Sequence, residues 1–108
     1  EALDREASKA WRSPLLVVVV AEPKSHPKVP AVEQLVAVGA AIQNLWLAAN
    51  SLGYGAAWKT GRPAYDAGVK SALGLRAEDH VVGFLHVGRP TSKAPIRPAE
   101  FAARTTWL

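Results

Sequence analysis

Residues 31–52 read AVEQLVAVGAAIQNLWLAANSL, and the fold turns on this stretch. Fifteen of its 22 residues are apolar: Ala31, Val32, Leu35, Val36, Ala37, Val38, Ala40, Ala41, Ile42, Leu45, Trp46, Leu47, Ala48, Ala49 and Leu52. Wound at 3.6 residues per turn, the segment puts Glu33, Asn44 and Ser51 on one narrow stripe and is apolar almost all round. Such a helix is either the buried centre of a larger body or a membrane span. A span needs about 20 residues with little polar interruption. Here Glu33, Gln34, Gln43, Asn44, Asn50 and Ser51 intervene. The expectation is a soluble helix over 31–52, the most buried element, covered by a partner chain or by a segment outside these residues. Gly53 follows where a left-handed cap is wanted.

Working outward, Leu15 to Ala21 is an unbroken apolar run with four valines. β-branched side chains suit a pleated sheet, and the lack of alternation predicts a strand buried on both faces. Three prolines between Glu22 and Pro30 make that stretch a loop. Residues 1–11 predict a short helix with Leu3, Ala7 and Trp11 on one face, stopped at Ser13-Pro14. Tyr54 to Lys59 reads as a short strand. Pro63 to Leu73 reads as a second helix opened by proline, with an Asp66–Lys70 pair, and closed by Gly74. His80 to Val87 is another strand. Beyond Gly88, the prolines of Pro90 to Pro98 predict an extended arm over 89–108. The order strand, long helix, strand, helix, strand implies α/β or α+β with a partly parallel sheet.

Composition narrows the chemistry. The chain has 108 residues, 49% hydrophobic and 20% charged, which excludes intrinsic disorder. It has no cysteine, which removes disulfides, thiolate metal sites, iron–sulfur clusters and a cysteine nucleophile. The net charge of +4 lies wholly in residues 55–108, where eight Lys/Arg face four Asp/Glu. That excess suits an anionic ligand. The cations lack interleaved aromatics, so no nucleic-acid partner is expected. The absence of methionine points to a processed chain or fragment, and the absence of a recognisable leader to a cytoplasmic location.

No metal site is expected. His80 and His86 stand six residues apart on one strand, roughly 20 Å at 3.3 Å per residue, and His26 is alone in the proline-rich loop. Each histidine reads as a surface or strand-end residue. Gly53-Tyr54-Gly55 follows a helix and precedes a strand, the reverse of a dinucleotide fingerprint. No side chain reads as a catalytic acid, base or nucleophile. The one stretch with ligand character is Trp58-Lys59-Thr60-Gly61-Arg62-Pro63, where two cations, a hydroxyl and a glycine precede a helix start.

Taken jointly, several pieces resemble the nitroreductase family. They are Lys28-Val29-Pro30 with Glu33-Gln34, Gly39-Ala40-Ala41, Gln43-Asn44, Ala48-Ala49, Gly53-Tyr54-Gly55, Trp58-Lys59-Thr60-Gly61, Leu73-Gly74-Leu75, and Val81-Val82-Gly83-Phe84-Leu85 with Gly88. The resemblance spans about residues 10–90 and is nearest to compact bacterial NAD(P)H nitroreductases. It implies an α+β fold, a mixed sheet flanked by helices around a long buried central helix, and a homodimer. It implies an FMN flavoprotein that uses NAD(P)H to reduce nitroaromatic or similar small acceptors. By the same resemblance Trp58, Lys59 and Thr60 lie along the FMN ring, and Ala48, Ala49, Asn50, Ser51, Leu52 and Gly53 contact NAD(P). The family's Arg-Arg-Ser motif for the FMN phosphate has no counterpart here. Residues 1–108 therefore correspond to the C-terminal portion of a single domain, incomplete at the N-terminus. The alternatives are a non-catalytic dimerisation fragment and, from another class, a basic nucleic-acid-binding domain.

Overall fold

Four consecutive valines restrict χ1 and favour extended backbone, and residues Leu15–Ala21 form strand β1. A computed structural model of the chain describes residues 2–108, with the side chains of Ala2, Leu3 and Glu6 outside the description. Helix α1 (Ala2–Ala10) precedes β1, helix α2 (Ala31–Ser51) follows it, and β2 (Gly55–Lys59) comes next. A 3-10 turn (Arg62–Tyr65), a short helix α3 (Ala67–Ala72) and strand β3 (His80–Gly88) complete the body. The face expected of α1 involves Leu3, which lies outside the described side chains, and Trp11, which is exposed.

The sheet order is β1-β3-β2, and both pairings are antiparallel. The partly parallel sheet expected from the element order is thus corrected, and so is the reading of Leu15–Ala21 as a central strand buried on both faces: β1 is an edge strand, half-buried from Leu16 to Val20. β1 and β2 do run in the same direction, but α2 carries the chain across a gap one strand wide. β3 fills that gap from the opposite direction, so no two parallel strands touch among the described residues. Such a pairing joins residues far apart in sequence, which local patterning cannot report.

β3 sorts the two faces. Val81, Gly83, Leu85 and Val87 are buried and alternate with half-buried Val82, Phe84 and His86. Leu85 pairs with Val17 on one side and Trp58 on the other. Beneath them lies Ile42 of α2, 1% exposed, which with Leu85 and Val87 forms the core. The Trp58 indole sits over Gly83 and donates from Nε1 to the Val82 carbonyl at 3.1 Å. A Cβ at Gly83 would stand 2.2 Å from that nitrogen. Gly39 of α2 approaches the same ring, so glycines flank the indole above and below.

The long helix ends one residue earlier than expected. Gly53, at φ +86°, closes it with Gly53 N–H to Asn50 O at 3.0 Å and Tyr54 N–H to Ala49 O at 2.9 Å, a Schellman pair. Only one stripe of α2 meets the sheet, through Leu35, Val38, Ile42, Trp46 and Ala49, and Ile42 alone is fully buried. Within this chain α2 is therefore not the most buried element. β3 holds that place, because strands flank it on both sides. By length and composition α2 could cross a membrane, but its Ile42 stripe is engaged with the sheet. A second apolar stripe remains uncovered, with Val32 at 63%, Val36 at 68% and Leu47 at 56% exposure.

The single helix expected over 63–73 is broken at Asp66. Its Oδ1 accepts from Val69 N–H at 2.9 Å, making Asp66 the N-cap of α3. That role removes the expected Asp66–Lys70 pair, and Lys70 donates to the Ala77 carbonyl instead. Before β3, buried Asp79 accepts from the Arg76 main-chain N–H at 2.8 Å and from its guanidinium at 2.6 Å. Beyond Gly88 the chain forms no regular element apart from a 3-10 turn at Ala102–Arg104, and Ile96, Phe101 and Trp107 are exposed. The arm expected over 89–108 accordingly adds no strand to the sheet.

Two outcomes follow from these contacts. Gly83→Ala forces the indole off β3 and breaks its hydrogen bond to Val82. It should cost about 1–3 kcal/mol, as overpacking does, read by urea unfolding followed through tryptophan fluorescence; an unchanged midpoint would contradict the packing. The Arg76 guanidinium holds the Asp79 carboxyl below the ordinary carboxylate range. The unfolded chain then binds the proton more readily, so this contribution is complete above about pH 4 and is lost as pH falls below it. Asp79→Asn should flatten the acid limb of the stability profile, and an unaltered limb would contradict the lock.

Candidate functional site

The second face of the sheet carries the side chains that α2 does not cover. Alternation places Leu16 of β1, Phe84 and His86 of β3, and Ala57 and Lys59 of β2 on it. These five form the floor of an open cavity of about 660 Å³. Lys9 and Arg12 stand on one wall, at the end of α1, and the turn Thr60-Gly61-Arg62-Pro63 forms the other. Among the described residues no acidic side chain lines it. A volume of this size is usual for a small-molecule site.

The turn is built by its backbone. Gly61 has φ +79° and ψ −170°, a conformation essentially confined to glycine. It lets β2 end and the 3-10 turn begin within two residues, with Pro63 at the opening positions where a missing N–H is harmless. The ladder stops at Lys59, paired with Phe84, and the first bond of the turn runs from Ala64 N–H to Gly61 O. The N–H groups of Gly61 and Arg62 lie between these points and have no acceptor within the described chain. Ala64, 2% exposed, anchors the turn in the protein body.

The residues expected to lie along a flavin thus divide. Lys59 and Thr60 line the cavity. The Trp58 side chain faces α2, packed on Gly83, so only its main chain is available on the cavity side. The structure does not bring Ala48, Ala49, Asn50, Ser51, Leu52 and Gly53 to this site. Ala49 packs on the core, the others are exposed at the end of α2, and β2 separates them from the turn by about 13 Å of strand.

His86 is corrected from a surface or strand-end residue. It is half-buried in mid-sheet, with Nδ1 2.8 Å from Ser13 Oγ. The Ser13 hydroxyl donates to the Leu15 carbonyl at 2.9 Å, so it accepts from Nδ1–H and leaves Nε2 as the ring's free nitrogen. The strand parity of β3, with His86 two residues from Phe84, was the only sequence signal that could have placed it here. The pairing with Ser13, 73 residues away, left none. Arg12, two residues beyond α1, was likewise missed, because nothing in the local sequence marks it as lining this cavity. Among the described residues no His, Asp or Glu group could hold a metal ion. His26 organises its own loop, with Nδ1 accepting from the N–H groups of Lys28 and Val29.

Comparison with known proteins gives this geometry a lineage. The sequence profile of the nitroreductase family matches residues 1–89. The chain is 36% identical over 94 residues to "Putative NAD(P)H nitroreductase YdjA" of Escherichia coli K12, covering 87% of this chain and 51% of that one. It is 32% identical over 95 residues to "Putative NAD(P)H nitroreductase" of Haemophilus influenzae, covering 87% and 52%. The chain thus spans about half the length of the curated relatives it matches. Among solved structures, the nitroreductase-like family protein from Bacillus cereus superposes with a TM-score of 0.78 at 22% identity, covering 97% of this chain and 56% of that one. The structure described as "a putative nitroreductase in complex with FMN" from Exiguobacterium sibiricum superposes with a TM-score of 0.58 at 22% identity, covering 75% and 40%. The profile match over most of its length and the shared α+β architecture establish that the chain belongs to the nitroreductase family.

Proposed function

We propose that the protein carrying this chain is an FMN-dependent oxidoreductase that takes reducing equivalents from NAD(P)H and passes them to a nitroaromatic or similar small acceptor. Family membership supports the reading, and one observation in this chain carries it. Among the described residues the Gly61 and Arg62 N–H groups have no acceptor; they lie on a rigid turn beside Leu16 and Phe84 of the sheet, with the cations Lys59 and Arg62 close by. Those features fit a flavin, whose ring is flat and apolar with a polar edge and whose phosphate is anionic.

When bound, FMN supplies two-electron hydride chemistry; the protein contributes position and electrostatics. Thr60, Gly61 and Arg62 would offer main-chain donors to the polar ring edge, while Lys59 and Arg62 supply positive charge close by. Leu16 and Phe84 keep the sheet side dry, which strengthens each of those interactions. The proposal leaves the exposed helix end, Ala48–Gly53, to the nicotinamide nucleotide, at a separation that an extended dinucleotide can span.

The proposal includes a homodimer built on α2. Val32, Val36 and Leu47 form an apolar stripe that the sheet leaves open, and burying it would gain about 25 cal/mol per Å².

The purified full-length protein should be yellow and release FMN on denaturation. Lys59→Ala should weaken FMN binding only slightly, by about 1 kcal/mol, because the main chain does most of the work. Gly61→Val should cost more, about 1–3 kcal/mol from backbone strain alone. The space around Gly61 is open, with Pro63 Cδ 3.9 Å from a built Cβ, so strain and not crowding sets that cost. Fluorescence titration of FMN reads both, and equal losses would contradict the turn's role. Val36→Glu should shift the protein toward monomer by at least tenfold in dissociation constant, about 1.4 kcal/mol. Analytical ultracentrifugation showing an unchanged dimer would remove α2 from the interface.

A further inference from the structure

Resting on the flavin reading of this site, we propose that His86 recognises the imide edge of the flavin ring, with Nε2 accepting the one N–H that edge carries. Ser13 is then the positioning residue that holds the imidazole in the tautomer able to accept. What the cavity otherwise offers is donors. The side chains of Lys9, Arg12, Lys59 and Arg62 line it and can give hydrogen bonds but not receive them. The N–H groups of Gly61 and Arg62 on the turn are donors as well. A ligand edge made of carbonyl oxygens alone would be satisfied by such a set. The pyrimidine edge of a flavin is different, because it runs carbonyl, N–H, carbonyl. Its N–H needs an acceptor, and a polar group buried without its partner costs more than a made bond returns. Among the described side chains that line the cavity, only the Thr60 hydroxyl and His86 Nε2 can accept.

Of these two, His86 alone is fixed in its role. A hydroxyl turns to donate or accept as the ligand requires, so Thr60 does not discriminate. The Ser13 hydroxyl has one proton and gives it to the Leu15 carbonyl at 2.9 Å. Its contact with His86 Nδ1 at 2.8 Å is therefore one it accepts, which leaves the lone pair on Nε2. Strand pairing builds this arrangement. His86 sits on the central strand, opposite Leu16 of β1 and Ala57 of β2, neither of which has a polar side-chain atom to compete for the ring. Lys59 lies two residues along β2 from Ala57 and so shares this face. The fixed acceptor and the donors at the end of β2 thus border one floor.

The test compares FMN with FMN methylated at N3, by fluorescence titration of the full-length protein freed of flavin. FMN should bind about tenfold more tightly, as expected for one buried hydrogen bond lost. His86→Leu keeps a side chain of similar bulk and removes the acceptor. It should weaken FMN, leave the methylated form nearly unchanged and bring the ratio below about threefold. Ser13→Ala, which touches no ligand, should also lower the ratio by freeing the ring to present Nε2–H, and His86→Gln, whose amide oxygen can accept, should restore part of it. With FMN isotope-labelled at N3, the bound imino proton should be visible by NMR in the wild type and lost to solvent exchange in His86→Leu, a signature that a change in stability alone would not produce. Equal affinity of the wild type for the two flavins, or an unchanged ratio in His86→Leu, would overturn the proposal. FMN bound without discrimination removes this inference and leaves the oxidoreductase reading standing; a protein that binds neither flavin removes both.

Discussion

The contact on which the rest depends is the Trp58 indole lying on Gly83. A large ring from the edge strand β2 occupies the side-chain space that the central strand leaves empty, and its nitrogen is tied to the Val82 carbonyl. Gly39 of α2 stands against the same ring, so one side chain joins both strands and the helix. With the indole committed to the α2 side, strand alternation turns Ala57 and Lys59 toward the opposite face. The end of β2, and with it the Thr60–Arg62 turn, is thereby set beside Phe84 and His86. The turn of the candidate site thus owes its place to a packing interaction on the far side of the sheet.

The two sheet faces consequently do different work. One holds the core of Ile42, Leu85 and Val87. The other carries Leu16, Ala57, Phe84 and His86 beside the cations Arg12, Lys59 and Arg62. The Arg76–Asp79 lock secures the turn into β3. Its carboxylate is used up in structure and takes no part in the cavity's charge.

Much of this was legible in the sequence, where the signal is local. The valines of β1, the apolar density of α2 and the glycine at its end fix those elements to within a residue. Gly61 and its neighbours could be singled out because a positive-φ glycine before a proline-opened turn is a local pattern. The break at Asp66 was hidden because the periodicity of Tyr65, Val69 and Leu73 runs through it; a side-chain cap outcompeted the helical register. The antiparallel insertion of β3 and the Ser13–His86 bond involve residues far apart in the chain, and no local pattern encodes them. The burial of α2 was overestimated for a related reason. Its apolar surface is real, but the sheet of this chain is narrow enough to cover only one stripe of it.

Amide hydrogen exchange resolved by residue, with and without FMN, tests the central claim most directly. If the indole contact positions the turn for a flavin edge, FMN should slow exchange at Gly61 and Arg62 while leaving the end of α2, Ala48–Gly53, unchanged. Protection at Ala48–Gly53 without protection at the turn would contradict the account.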